Sequence, residues 1–150
     1  RSGARRGRGE ERMRPYQHKV QYYETDRMGI AHHSNYIRWF EEARLELLDE
    51  IGLHFSKLEQ IGITSPVLSI SCEFKKMISF GDTFTVVSRI TSYDGIRLTV
   101  EYSVLDASTR ELRAKGSSSH CFMGKSGVIS LKRSFPEIHS VLEQFVEESI

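Results

Sequence analysis

Apolar residues recur along this chain with two different periods, and the changes of period divide it into elements. The segment "YQHKVQYY" (16–23) has Tyr16, Val20 and Tyr22 at alternate positions, which predicts a short strand. From Ser34 to Ile51 the spacing changes: Tyr36, Phe40, Ala43, Leu47 and Ile51 recur at steps of three and four, one face of an amphipathic helix. Ser34 can cap that helix and Gly52 can end it. Its 18 or so residues would make a rod of ~27 Å. Arg38, Glu41, Glu42 and Glu46 fall mainly on its other side. "FSKLEQIG" (55–62) predicts a second, short helix closed by a glycine.

Beyond residue 65 the period is two. "PVLSISCEF" puts Leu68, Ile70, Cys72 and Phe74 on one face, and "GDTFTVVSRI" does the same for Phe84, Val86 and Ile90. "IRLTVEYSV" alternates Ile96, Leu98, Val100, Tyr102 and Val104 with polar residues. Asp94–Gly95 marks a tight turn, and "ASTR" (107–110) marks another. A fifth strand, 111–123, has small residues from Gly116 to Ser119, where a helix or ligand can lie close to the sheet. A final helix over roughly 136–148 would pack Ile138, Val141, Leu142 and Phe145. The order is strand, long helix, then four strands in an antiparallel meander. This predicts an α+β fold with one long helix laid across a curved sheet.

The 150 residues suit one domain with a real core. Hydrophobic residues are 39% and charged residues 27%, and no apolar run approaches the ~18 residues of a membrane span. The formal charge of +1 hides an uneven distribution. The head, residues 1–14, holds six arginines and two glutamates, and the remainder is acidic by three charges. Composition therefore excludes a basic nucleic-acid-binding domain. The head is expected to be a disordered or expression-derived leader, with Met13 a plausible native start and residues 15–150 a single domain. Cys72 and Cys121 match no zinc or redox spacing, and two free thiols in a cytoplasmic protein are expected.

The chemistry is concentrated in "YYETDRMGIAHHSNYIRWF" (22–40). An acid, Asp26, and a glycine, Gly29, stand directly before the start of the helix, where backbone N–H groups near His33 and Ser34 lack partners and can receive an anion. Gly29 permits a close turn that could bring Asp26 to the same point. Asp26 could equally be a turn or cap residue. The adjacent His32 and His33 do not converge on one metal ion as an i, i+4 pair on a helix does, so no metal is expected.

The run "Y-x-x-T-D-x-x-G-I-A-x-H-x-N-Y-x-R-W-F-E-x-A-R", from Tyr22 to Arg44, closely resembles the 4-hydroxybenzoyl-CoA thioesterase family. So do "F-G-D-x-F-x-V" at Phe80 to Val86 and "A-x-G-x-S-x-H-x-F" at Ala114 to Phe122. The resemblance covers about residues 15–130 and implies the hot-dog fold: a long central helix wrapped by a curved antiparallel sheet of five or six strands. Two segments depart from the pattern. A proline common before Gly81 is replaced by Lys-Lys-Met-Ile-Ser, and around 94–96, where some members place basic residues for the coenzyme phosphates, this chain has Asp-Gly-Ile.

The resemblance implies an acyl-CoA thioesterase with no cofactor, acting as a homodimer or homotetramer, with active sites between subunits. Asp26 is then the nucleophile or general base, and the helix N-terminus at His33 and Ser34 is the oxyanion site. His33 can orient the acid or water, or lend only its backbone N–H. Gly29, Asn35 and Trp39 are placed with the substrate-binding positions, although Asn35 can also cap the helix or brace the loop and Trp39 can serve the core or an interface. Glu42 is the fallback carboxylate. An acyl carrier protein donor, a hot-dog hydratase or dehydratase, and a non-catalytic acyl-CoA-binding protein are the alternatives. Five residues separate Asp26 from His32, and no Asn-Pro is present, which argues against the "D-x-N-P-x-H" hydratase pattern.

Overall fold

The computed structural model describes residues 15–147. The leader expected over residues 1–14 lies outside them, as does residue 148 of the final predicted helix; within the described residues that helix already ends at Gln144. Strand β1 (Tyr16–Lys19) is followed by a 3-10 turn (Tyr22–Glu24) and the acid-bearing loop. Helix α1 (Ser34–Glu50, 17 residues) and the short α2 (Phe55–Gln60) come next. Four strands follow: β2 (Val67–Phe74), β3 (Thr83–Tyr93), β4 (Arg97–Asp106) and β5 (Leu112–Cys121). A small hairpin, β6 (Met123–Gly124) and β7 (Gly127–Val128), leads to α3 (Leu131–Ser134) and α4 (Pro136–Gln144).

The five strands form one antiparallel sheet in the order β1-β3-β4-β5-β2, so the expected four-strand meander holds only for β3-β4-β5; β2 pairs with β5 at the far edge, and β1 takes the place beside β3. Register breaks at Val67/Ser69, Ile90/Ser92 and Val104/Leu105 mark bulges, which bend strands and increase their twist. Strand β2 is an edge, and its predicted inner face is only partly covered: Leu68 is 47% exposed and Phe74 53%.

Helix α1 is held to the sheet by aromatic contacts along its buried face. Tyr36 meets Phe74 of β2 edge-on at 4.9 Å, Trp39 meets Phe84 of β3 at 4.6 Å, and Phe40 lies flat on Tyr102 of β4 at 4.3 Å. Burying side chains of this size contributes roughly 1.5–3 kcal/mol each. The small centre of β5 explains the close approach. A Cβ on Gly116 would lie 2.4 Å from the Phe40 ring and 2.7 Å from the Ser71 carbonyl oxygen.

Three further points differ from the sequence expectation, each for a local reason. The first strand stops at Lys19 rather than running to 23. Glu24 N–H bonds back to the Gln21 carbonyl and closes the 3-10 turn, which throws Tyr22 outward to 78% exposure. Ser34 is not the cap of α1. His33 occupies the cap position with helical dihedrals and no side-chain cap bond, so Ser34 is already inside the first turn. Helix α3, whose four residues are too few to show a period, was not predicted.

Candidate active site

The turn before α1 is built by its own polar groups. Asp26 Oδ1 accepts the Met28 N–H at 2.8 Å and, more weakly, the Ile30 N–H at 3.4 Å. Gly29, with φ +77°, donates its N–H to the Asp26 carbonyl and accepts the Phe80 N–H. A side chain at that φ would be strained, so glycine is what lets the loop fold back on Asp26. Asp26 is therefore a turn residue, as its position before a helix suggests. It is also exposed, and its second carboxylate oxygen makes no bond among the described residues.

Asp26 and His33 line one cavity of about 280 Å³, together with Ile30, Ala31, Tyr36 and the segment Phe74–Ile78. Its two lysines are engaged: Lys75 with Glu73 at 3.2 Å and Lys76 with Glu111 at 2.9 Å. At the start of α1 the two expected oxyanion donors differ. Ser34 N–H points at His32 Nδ1 at 3.2 Å, and the Ser34 hydroxyl lies 2.9 Å from the same nitrogen. His33 N–H has no partner among the described residues. The His32 ring stacks on that of His33 at 4.2 Å, outside the cavity lining.

The other candidates occupy supporting positions. Asn35 is buried and donates Nδ2 to the carbonyls of Glu24 and His32, bracing the loop against the helix. Trp39 is in the core, 1% exposed, and lines no part of the Asp26 cavity. Glu42 lines no part of that cavity and accepts a hydrogen bond from the Tyr16 hydroxyl. Gly29 serves the turn rather than the cavity wall.

Sequence reading overlooked Glu24. This carboxylate is 6% exposed and accepts bonds from Gln21 N–H at 2.8 Å, from His18 Nε2 at 2.8 Å and from the Trp39 indole N–H at 3.1 Å. Burial pushes its pKa up, but these hydrogen bonds outweigh burial and hold it below the ordinary carboxylate value. The Glu24 backbone carbonyl accepts the His32 N–H and the Asn35 amide, each at 2.8 Å. One residue thus ties β1, the Asp26 loop and the first turns of α1 together. The one indirect signal was His18, which shares the inward register of Tyr16 and Val20 and so needs a polar partner; Glu24 itself lies in the 3-10 turn, outside any period.

Residues 20–145 match the thioesterase-like superfamily. This chain belongs to that superfamily. Membership assigns it the chemistry of a thioester hydrolase. It is similar to YneP of Bacillus subtilis, a protein provisionally named an acyl-CoA thioesterase, at 34% identity over 84% of this chain and 92% of that protein. A solved structure of a hypothetical protein from Aquifex aeolicus is 35% identical, covers 85% of this chain and 97% of its own, and superposes with a TM-score of 0.78. The structure of a DHNA-CoA thioesterase from Staphylococcus aureus is 30% identical over 85% of this chain and 87% of its own, with a TM-score of 0.80. These neighbours identify the five-stranded sheet and its helices as a hot-dog thioesterase fold. The superfamily is the level at which the resemblance seen in the motifs holds; the 4-hydroxybenzoyl-CoA branch is not singled out.

Proposed function

We propose that this chain hydrolyses an acyl-CoA thioester to a free acid and coenzyme A, with Asp26 as the carboxylate that attacks or activates water. The observation that carries the reading is that Asp26 and His33 line one cavity at the N-terminus of a 17-residue helix. The thioester oxygen would accept the His33 N–H, where the positive end of the helix dipole stabilises the charge that develops as the carbonyl becomes tetrahedral. Asp26 has an oxygen to spare for this task, because the turn occupies only Oδ1. Either that oxygen bonds to the carbonyl carbon and the acyl-Asp26 is then hydrolysed, or it takes a proton from water as the water attacks. Coenzyme A leaves as the thiolate in both routes. Ser34 N–H can join the donors only if the His32 ring turns away.

The names of the B. subtilis and S. aureus relatives support coenzyme A as the carrier. Thiol release across a panel of acyl-CoA and acyl carrier protein donors tests the reading. Binding of every donor without release would replace the hydrolase with a non-catalytic binder.

We further infer a homodimer or a tetramer of dimers, formed along β2. That strand is an eight-residue edge that carries the half-exposed Leu68 and Phe74, and pairing such an edge removes an aggregation hazard. Light scattering of an active monomer would defeat this.

A further inference from the structure

We propose that a second cavity, of about 350 Å³, receives the distal part of a long aliphatic acyl chain whose thioester is held beside Asp26. The inference rests on the hydrolase reading and names its substrate class. The cavity shares no lining residue with the Asp26 site. Leu45 and Leu48 of α1, Leu58 of α2, Leu98 of β4, Leu131 of α3 and Leu142 of α4 all line it. Five elements thus converge on a void. Protein interiors rarely leave gaps larger than a water molecule, and this volume falls in the range of ~300–1,000 Å³ used for ligands. Leu98, Leu131 and Leu142 are almost wholly buried, whereas the lining residues Phe55 and Val67 are exposed, so the void has a deep apolar end and an open one.

The charged groups on its wall do not call for a polar guest. Glu41 and Arg44 both come from α1. Arg44 Nη1 is held by the Tyr102 hydroxyl at 3.0 Å, and that hydroxyl continues into a buried chain through Ser118 to His120. Arg44 is thereby anchored into the sheet. What the cavity offers a guest is mainly apolar surface, aliphatic for the most part with Phe55 and Phe122.

Two elements run from one cavity to the other. On α1, His33 and Tyr36 touch the Asp26 site, and Glu41 to Leu48 touch the second cavity. From His33 to Glu41 is about 12 Å of helix. On β2, Phe74 touches the first and Val67 the second. The surface between carries Ile37, 48% exposed, and the half-buried Ile70 and Cys72 on the strand face that Phe74 shares. An acyl chain leaving the thioester along this apolar path reaches the second cavity only if it is long. A butanoyl group ends beside Tyr36 and Phe74.

Each methylene that enters the cavity raises kcat/KM about fourfold until the cavity is full. The test compares butanoyl-, octanoyl- and palmitoyl-CoA on the parent, on Leu45→Trp and on Leu58→Phe. The ratio of palmitoyl to butanoyl kcat/KM should exceed ten in the parent and fall at least tenfold in either variant. A parent that prefers butanoyl, or a ratio unmoved by both variants, overturns the proposal. Two different positions are filled, so misfolding of one leaves the other as the test. If no donor releases thiol, it is the hydrolase reading that fails, and calorimetry then decides the cavity alone. Palmitoyl-CoA binding more tightly than butanoyl-CoA to the parent, with the difference reduced in the variants, supports it; equal binding to the parent overturns it.

Discussion

The indole N–H of Trp39 donates to the Glu24 carboxylate at 3.1 Å, a bond that joins the core face of α1 to the loop carrying Asp26. Glu24→Gln keeps the side-chain shape but loses the charge that attracts three donors. Leaving such groups short of an acceptor costs about 1–3 kcal/mol, so the melting temperature should fall. Trp39 is the sole tryptophan, and its emission should shift with the substitution. The folded-state pKa of Glu24 lies below its unfolded value. Its contribution is therefore present above the unfolded carboxylate pKa of ~4.3 and is lost as pH falls through the folded value. Melts that match the parent in temperature and emission would remove Glu24 from this role.

Gly116→Ala should destabilise the protein by roughly 1–3 kcal/mol, the usual consequence of overpacking. The added methyl meets the Phe40 ring on one side and the Ser71 carbonyl on the other. The ring is fully buried and stacked on Tyr102 with 4° between planes. Urea denaturation measures the loss. A midpoint equal to the parent's would mean that α1 can shift away from the sheet without penalty.

Asp26→Asn should lower kcat by ~10²–10⁴, the range of a positioned general base. Asparagine can still accept the Met28 N–H through Oδ1, so the turn and the melting temperature should change little. His33→Ala should hurt less, because alanine keeps the backbone N–H. Single-turnover hydrolysis in isotopically labelled water separates the two routes: an acyl adduct trapped on Asp26, or label in Asp26, favours attack by the carboxylate, and label only in the released acid with no adduct favours a general base. Turnover of Asp26→Asn near the parent rate would end this mechanism and make Glu42 the next carboxylate to replace.

His120 gives stability a dependence on pH. The ring is fully buried, and burial first, then the Arg44 charge, hold its pKa down at about 4. The unfolded chain binds a proton at ~6.5, so between those values it holds more protons than the folded one. Stability is complete above about pH 6.5 and declines as pH falls toward 4, by on the order of 3 kcal/mol. Chemical denaturation at pH 7 and pH 4.5 should show the decline, and His120→Gln should flatten it. A His120→Gln slope equal to the parent's would assign the acid sensitivity to other groups.

Local periodicity carried most of the architecture. The three- and four-residue spacing of Tyr36, Phe40, Ala43 and Leu47 marks a helix because those positions must share one face to be buried, and all four are buried. The alternation in residues 96–104 marks a strand for the same reason. Small residues at 116–119 announced a close approach before the approaching group was known. It is Phe40. The Asp26–Gly29 loop was also legible, because a positive φ next to an aspartate is a local need that sequence records.

Pairing between distant residues was decided by the tertiary structure. Glu24 and Trp39 are 15 positions apart, and a buried acid next to an exposed tyrosine has no periodic signature; only the packing of α1 on β1 shows that its charge is spoken for by His18, Gln21 and Trp39. Trp39 itself was legible as aromatic and inward, but whether it faced a ligand or the core depended on where Glu24 stood. The second cavity is less visible still. Its leucines come from five elements and look like ordinary core residues in each. A void exists only where their side chains fail to meet, and that distance is set by how the helices and sheet are held apart.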